Sequence, residues 1–102
     1  MEHYFTNNEN LKSEFRNIEY NFKSTPFVFL SDNGVFSKNK IDYGSKLLLE
    51  TYLDNEKEEK KVLDLGCGYG FIGIVISKIN ESNVTLADVN KRALHLAHKN
   101  IM

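Results

Sequence analysis

The sequence predicts an α/β fold organised around a short parallel sheet. A short apolar segment, Val62–Leu65, runs directly into a glycine-rich turn and then into a second apolar stretch. A further strand-like segment, Val84–Ala87, follows that stretch. Strand, glycine turn and helix in this order are typical of an open parallel sheet that binds a ligand at the carboxyl end of a strand. Upstream, an alternating apolar pattern predicts an N-terminal β-hairpin.

Composition restricts the classes of protein that the chain can represent. Its 102 residues allow one domain, and 13 basic against 14 acidic residues give a formal net charge of −1. This balance provides no overall attraction to nucleic acid, so an RNA-binding role requires a local basic face or another part of the protein. The single cysteine, Cys67, excludes an internal disulfide and suits a reducing compartment. With no leader and no apolar run of ~18 residues, we expect a cytoplasmic protein without membrane contact.

The N-terminal third divides into a polar arm and a hairpin. Residues 1–13 are polar and predict a flexible arm, so we place the domain at residues 14–102. The first strand shows a period of two in its apolar side chains, which are Ile18, Tyr20 and Phe22. Lys23–Pro26 predicts a turn, and Phe27–Leu30 predicts the second strand.

The next segment predicts a helix that begins with a capping aspartate. Asp42 is a suitable N-cap because its carboxylate can accept hydrogen bonds from N–H groups one turn later. The helix should end near Leu53. Its broad apolar face comprises Leu47, Leu48, Leu49, Tyr52 and Leu53.

Two more helices flank the second parallel strand. The first should run from Gly70 or Phe71 to about Ile79, and the last from Asn90 to about Ile101. The face that the last helix should bury comprises Ala93, Leu94, Ala97 and Ile101. His95 and His98 share a side of this helix, but no third ligand is placed to complete a metal site, so we expect none.

The glycine turn fits two classes of ligand. The segment Gly68–Gly73 matches the dinucleotide pattern G-x-G-x-x-G, with Asp88 at the position of a ribose-binding acid, as in NAD-binding proteins. A second register places Asp64 at the mouth of a loop through Gly66 and Gly68. A carboxylate there repels a diphosphate and attracts an ammonium or sulfonium group. S-adenosylmethionine carries both cations, so charge and register favour it, and NAD remains the alternative.

The residues of this loop also resemble a known family. The nine residues from Val62 to Gly70, VLDLGCGYG, resemble the first motif of class I S-adenosylmethionine-dependent methyltransferases. The segments Gly34–Ser37, Asp42–Ser45 and Asp88–Asn90 are similar to the small-domain family related to the bacterial enzymes that methylate guanine in 16S ribosomal RNA. This resemblance implies a partial Rossmann-like methyltransferase fold with an N-terminal β-hairpin, truncated after the second parallel strand and its helix. The family's Asn-Pro-Pro-aromatic signature does not occur in the sequence.

The resemblance also implies a set of cofactor-binding residues. Asp64 would orient the amino-acid end of S-adenosylmethionine, Asp88 would hold the ribose, and Val89 would lie against the adenine. From the residues alone, Phe36 can instead fill the core, and Asp88 can instead cap the last helix, although Asn90 can also provide that cap. The full predicted set is Phe36, Asp64, Gly66, Cys67, Gly68, Asp88 and Val89. No catalytic residue is assigned, because Cys67 has no evident basic partner.

We therefore expect the cofactor-binding portion of a methyltransferase whose target is an exocyclic amine of guanine in ribosomal RNA. The chain alone should be inactive, since the residues that hold the base belong to the absent part of the family's fold. An NAD-type oxidoreductase portion and a non-catalytic binding module are the alternatives. The open edge of the Val62–Leu65 strand also predicts possible self-association.

Overall fold

The computed structural model describes residues 14–32 and 40–101, which form two small sheets and three helices. In chain order the elements are β1 (Arg16–Phe22), β2 (Thr25–Ser31), α1 (Tyr43–Asn55), β3 (Lys61–Leu65), α2 (Phe71–Asn80), β4 (Asn83–Ala87) and α3 (Lys91–Ile101). β1 pairs with β2 in antiparallel fashion, and β3 pairs with β4 in parallel. The predicted α/β fold with an N-terminal hairpin is confirmed. The predicted arm at residues 1–13 lies outside the described residues.

The hairpin buries one face, as its period of two predicts. Ile18, Tyr20 and Phe22 are buried on β1, while the residues between them are exposed. Phe29 lies opposite Ile18 in the register and is only 1% exposed. Since alternate residues of a strand point to opposite faces, the hairpin presents a single apolar face to the rest of the chain.

The hairpin turn is shorter than predicted. It consists of Lys23 and Ser24, whose φ angles are positive at 44° and 77°. Thr25 and Pro26 already belong to β2, where Pro26 lies opposite Asn21. A proline is tolerated there because it occupies the beginning of a strand.

Helix α1 begins at the predicted cap. The Oδ2 atom of Asp42 accepts hydrogen bonds from the Ser45 backbone N–H at 2.9 Å and from the Ser45 hydroxyl at 3.0 Å. This bond satisfies an N–H group that has no partner inside the helix. The capping role of Asp42 is therefore confirmed.

The apolar face of α1 is narrower than predicted. Leu49 and Leu53 are buried, whereas Leu47 and Leu48 are 53% and 63% exposed. The residues described in 14–32 and 40–101 cover only one side of this helix. The prediction of a broad buried face was wrong for Leu47 and Leu48 in this structure.

The two parallel strands bring the glycine turn to the end of their sheet. Leu65 and Ala87 are the last paired residues of β3 and β4. The backbone N–H groups of Gly66 and Cys67 both donate to the Ala87 carbonyl, at 2.7 and 3.0 Å. The turn therefore leaves β3 while still hydrogen-bonded to the carboxyl end of β4.

One face of the parallel sheet carries exposed apolar side chains. Leu63 and Leu65 are 61% and 79% exposed. Val62 and Asp64, which point to the other face, are partly buried. Within the described ranges, only one face of the β3–β4 sheet is therefore covered. Partly buried and exposed side chains alternate along β3, whereas a central parallel strand is usually buried along its whole length.

An aromatic cluster joins the hairpin to the glycine turn and to α2. The Tyr20 and Phe71 rings meet edge to face with centroids 4.9 Å apart, and Phe29 and Phe71 meet in the same way at 5.8 Å. Phe29 also lies 5.8 Å from the Tyr69 ring. Aromatic pairs in such geometries add stabilisation beyond the burial of their area. The hairpin thus packs directly behind the turn.

Helix α3 packs with a different set of residues from the predicted one. Ala93, Leu96 and Ala97 are buried, whereas Ile101 is 61% exposed. The prediction that Ile101 is buried was wrong, because the described residues provide no covering element at the end of this helix. None of the helices in the described ranges has both the length and the apolar character that crossing a bilayer requires.

Gly73 allows α2 to approach the parallel sheet closely. A Cβ atom at this position would clash with the Leu86 side chain and would lie 3.0 Å from both Asp64 Oδ2 and Val84 Cγ1. These neighbours belong to the two strands on which α2 lies. A side chain larger than hydrogen would therefore push the helix away from the sheet.

We predict that Gly73→Ala lowers the free energy of unfolding by at least about 1 kcal/mol, since overpacking outweighs the gain in helix propensity. Gly44→Ala is the matched control, because the nearest atom to its added Cβ lies at an ordinary 3.4 Å. That variant should be neutral or slightly stabilising. Urea unfolding followed by circular dichroism measures both variants. Equal stability of the two would contradict the close contact at Gly73.

Candidate functional site

The glycine turn, residues 66–70, is held in a conformation that glycine accepts most readily. Gly66, Gly68 and Gly70 have φ angles of 73°, 58° and 103°. The Gly70 N–H donates to the Cys67 carbonyl at 3.0 Å, which closes the turn. Glycine adopts positive φ without the steric cost that a Cβ atom imposes. We call this segment the glycine loop.

The outer side of the glycine loop is open to a ligand. A Cβ atom at Gly66 or Gly68 would meet no atom within 4 Å. Gly70, by contrast, faces inward, since a Cβ atom there would lie 2.6 Å from Ile74 Cδ1. The open side therefore exposes backbone that a bound molecule can approach closely.

Asp64 lies beneath the loop, where β3 ends and α2 begins. Its Oδ2 accepts the Gly73 N–H at 2.9 Å, in the first turn of α2. Burial raises the pKa of this carboxyl group, the hydrogen bond from Gly73 lowers it, and the charge of Asp88 raises it further. No described residue is a partner of Oδ1.

Asp88 joins the end of β4 to the loop. Its Oδ2 accepts the Gly68 N–H at 2.8 Å, and its Oδ1 accepts the Asn90 N–H at 2.9 Å. Each carboxylate oxygen has a second lone pair, so both can still accept a hydroxyl. The carboxylate thus fixes the loop backbone while keeping acceptor capacity.

Asn90, and not Asp88, caps helix α3. Its Oδ1 accepts the backbone N–H groups of Arg92 and Ala93 at 2.9 and 3.1 Å. The sequence offered both residues as caps. This assignment leaves the Asp88 side chain directed to the loop.

Three other predicted residues occupy different environments. The Cys67 side chain is 8% exposed, and its Sγ lies 3.5 Å from the Gly68 carbonyl oxygen. Val89 is 76% exposed and directly follows Asp88. Phe36 lies outside the described residues. The structure therefore brings Asp64, Gly66, Cys67, Gly68, Asp88 and Val89 to one edge of the parallel sheet.

Burial makes the Cys67 thiol a poor nucleophile. It raises the pKa of the thiol to about 11, and the negative charges of Asp64 and Asp88 act in the same direction. The thiolate is the reactive form of cysteine. That Cys67 is not a nucleophile stays a prediction.

Sequence reasoning missed two residues that hold the loop from behind. Tyr69 is 5% exposed, and burial raises the pKa of its hydroxyl to about 12, with the charge of Asp42 adding to the effect. Asn100 donates from Nδ2 to the Tyr69 carbonyl at 2.8 Å. A tyrosine between two glycines gives little indication in the sequence that its side chain is buried. The partner of Asn100 is 31 residues away, so no local pattern identifies it.

The described residues contain no group of three or more histidine, cysteine, aspartate or glutamate side chains arranged to hold a metal ion. His95 and His98 are both exposed on α3.

Comparison with known proteins identifies the family. The family model described as methyltransferase small domain matches residues 26–102. The chain belongs to the methyltransferase small domain family. The match includes β3, the glycine loop and β4, so it covers both carboxylates of the candidate site.

Curated relatives similar to the chain include two enzymes named ribosomal RNA methyltransferases, and the similarity covers different lengths of the chain. The chain is 38% identical over 100 residues to YbxB of Bacillus subtilis, which covers 97% of the chain and 49% of that protein. It is 49% identical over 69 residues to ribosomal RNA small subunit methyltransferase C of Haemophilus influenzae, or 67% of the chain and 20% of that protein. The Mannheimia succiniciproducens enzyme of the same name is 36% identical over 98% of the chain and 31% of its own length. The chain thus spans half or less of these relatives.

A solved structure shows the same fold. The 16S rRNA methyltransferase RsmC of T. thermophilus, in complex with AdoMet and guanosine, superposes with a TM-score of 0.76 and 26% identity. The superposition covers 89% of the chain and 25% of that protein. The predicted resemblance to the small-domain methyltransferases is therefore confirmed.

We predict that native Cys67 reacts slowly with iodoacetamide. With a pKa of about 11, its thiol is ionised in about one molecule in a thousand at pH 8. The reaction should accelerate when the chain is unfolded in guanidinium, where burial is lost. Mass spectrometry of the labelled protein measures both rates. A native rate equal to the unfolded rate would contradict the buried, un-ionised thiol.

Proposed function

We propose that this chain forms the S-adenosylmethionine-binding part of a methyltransferase. The observation that carries the proposal is the placement of two carboxylates, Asp64 and Asp88, beside an open glycine loop at the ends of two parallel strands. The neighbouring protein of known structure, RsmC, was solved with AdoMet bound. The family match, over residues 26–102, covers the glycine loop and both carboxylates.

The residues fit the charge and shape of this cofactor. Open space beside Gly66 and Gly68 admits a ligand to the loop backbone. Asp88 retains lone pairs that suit the two ribose hydroxyls, and Asp64 provides negative charge for the ammonium or sulfonium group. Val89 is exposed beside Asp88, where it can contact the adenine. Phe36 remains a predicted wall of the pocket.

The same geometry disfavours a dinucleotide. A pyrophosphate binds free N–H groups at the N-terminus of the helix that follows a glycine loop. Here the Gly73 N–H, in the first turn of α2, already donates to the Asp64 carboxylate. A diphosphate at the N-terminus of α2 would therefore lie close to the negative charge of Asp64, which repels it. The NAD alternative is therefore the weaker of the two.

For the whole protein, we propose methylation of an exocyclic amine of guanine in ribosomal RNA. The cofactor supplies an electrophilic methyl group on sulfur. The amine nitrogen forms the new bond to carbon, the carbon–sulfur bond breaks, and the amine then loses a proton to water. The residues of this chain bind and orient one reactant, which raises the rate by positioning. The RNA assignment rests on relatives named ribosomal RNA methyltransferases and on a neighbour bound to guanosine.

This chain alone contributes binding and no assigned catalytic group. We therefore propose that it lacks methyltransferase activity by itself and acts with the rest of the protein in the cytoplasm. Leu63 and Leu65 are exposed, and no strand of the described residues pairs with the outer edges of the β3–β4 sheet, so this region offers a surface for self-association. Light scattering tests this: a dimer that forms with or without ligand would favour the binding-module alternative.

Asp88→Asn should weaken S-adenosylmethionine binding by roughly 1–3 kcal/mol, because an amide removes a charged acceptor from the Gly68 N–H and from the ribose. Asp54→Asn is the matched control, since Asp54 is exposed and, among the described residues, forms an ion pair with Lys23 at 3.7 Å. Isothermal titration calorimetry measures both, in the chain and in a form extended through its natural reading frame. Unchanged affinity would remove Asp88 from the site. Binding of NAD but not S-adenosylmethionine would end the proposal.

Cofactor affinity should fall on acidification, over a pH range above that of an ordinary carboxyl group. The pKa of Asp64 is raised from 3.8, so its charge is lost earlier as pH falls. A raised pKa means that the folded state binds this proton more readily than the unfolded chain, so Asp64 does not itself drive acid unfolding. Titrations between pH 4 and 7, with folding followed by circular dichroism, measure the effect. Asp64→Asn should reduce the pH dependence; an identical dependence would exclude Asp64.

A further inference from the structure

We propose that Asn100 is a positioning residue for the cofactor: its carboxamide fixes the backbone of the glycine loop and thereby sets cofactor affinity. The inference rests on the proposed function, because it assigns a role at the same site. Asn100 lies near the end of α3 and is not among the residues that would touch the ligand. It acts through Tyr69.

The Asn100 carboxamide forms hydrogen bonds with the backbone of β2, on the edge that faces away from β1. Its Oδ1 accepts the Leu30 N–H at 2.7 Å, and its Nδ2 donates to the Leu30 carbonyl at 3.1 Å. Leu30 lies opposite Asn17 in the hairpin. In an antiparallel pair, a residue directs both its backbone groups either toward its partner or away from it. Leu30 therefore directs its N–H and carbonyl toward α3. The carboxamide of Asn100 bonds both groups, as the backbone of a residue in a neighbouring strand would.

The same side chain holds the glycine loop. Nδ2 also donates to the Tyr69 carbonyl at 2.8 Å. An amide nitrogen has two hydrogens, and both are used here, one on Leu30 and one on Tyr69. The orientation of the carboxamide is fixed, because a flipped amide would place its oxygen against two carbonyls and its nitrogen against an N–H. One rigid group thus sets the spacing between the hairpin and the loop.

Tyr69 transmits this constraint to the open side of the loop. It stands between Gly68, whose N–H is bonded to Asp88, and Gly70, the N-cap of α2. Its ring is 5% exposed and packs against Phe29 on β2. Without the bond from Asn100, the Tyr69 carbonyl would lose a partner while its ring remained anchored. The peptide between Tyr69 and Gly70 could then rotate, which would move the Gly70 N–H away from the Cys67 carbonyl and loosen the turn that holds Gly68.

Asn80 provides a matched control. It is 9% exposed, and its Nδ2 donates to the Glu56 carbonyl at 2.9 Å. Like Asn100, it links a helix to a distant segment through a side-chain amide. It is the last residue of α2, at the opposite end of that helix from the loop. Its removal should lower stability without moving the loop.

The test compares Asn100→Ala with Asn80→Ala in the full chain, first without ligand. Amide hydrogen exchange followed by nuclear magnetic resonance should be about tenfold faster at Gly68 and Gly70 in Asn100→Ala, with thermal unfolding measured alongside. Asn80→Ala should lower the melting temperature and leave these two amides at the rate of the unmodified protein. Equal exchange at the loop in the two variants would overturn the proposal.

Calorimetry with S-adenosylmethionine provides the second measurement. Asn100→Ala should bind about tenfold more weakly, a difference of about 1.4 kcal/mol, and Asn80→Ala should bind normally. Equal affinities in the two variants would overturn the link to binding. If the unmodified protein binds no S-adenosylmethionine while exchange at Gly68 and Gly70 still responds selectively, the proposed function fails and the loop-positioning role stands.

A third measurement uses the unmodified protein, in case Asn100→Ala does not fold. The two Nδ2 hydrogens of Asn100 should exchange with solvent more slowly than those of Asn17, which is exposed on β1. Both groups are observed in the same nuclear magnetic resonance spectrum. Exchange of Asn100 as fast as that of Asn17 would show that the carboxamide does not hold its two carbonyls, and would overturn the proposal.

Discussion

The geometry of the candidate site depends on carboxylates that hold backbone N–H groups. Asp88 binds the N–H of Gly68 in the loop, and Asp64 binds the N–H of Gly73 in the helix that follows. Hydrogen bonds from backbone N–H groups to a carboxylate are charge-assisted and stronger than those between neutral groups. They fix a segment whose glycines would otherwise sample many conformations. The loop can be both glycine-rich and well ordered because these two acids restrain it.

The two carboxylates that form these bonds also place negative charge at one edge of the sheet. Two carboxylates near each other raise the energy of their ionised forms, which a cationic ligand relieves. Partial burial of Asp64 strengthens this effect because water screens it less. The proposed preference for a cation over a diphosphate thus rests on the groups that maintain the fold of the loop. The residues that hold the backbone of the loop are the same ones that we propose to select the ligand.

Patterns within a few residues allowed much of this structure to be predicted. The cap at Asp42, the cap at Asn90 and the strand–turn–helix unit each depend on neighbours along the chain, and each occurs where expected. Burial was predicted less well. Ile101 and Leu48 are exposed although their spacing suggested a core, since spacing identifies an apolar face but not the element that covers it. The bond between Asn100 and Tyr69 had no local signal at all.

The contact between Asn100 and β2 has a consequence for the order of events during synthesis. Leu30 and Asn100 are separated by 70 residues. A ribosome releases the chain from the N-terminus, so the hairpin emerges long before its partner side chain. Contacts between distant residues also form slowly, because a long loop must close first. The glycine loop therefore acquires the bond from Asn100 only when α3 has left the exit tunnel, and a nascent chain that stalls earlier carries the loop without it.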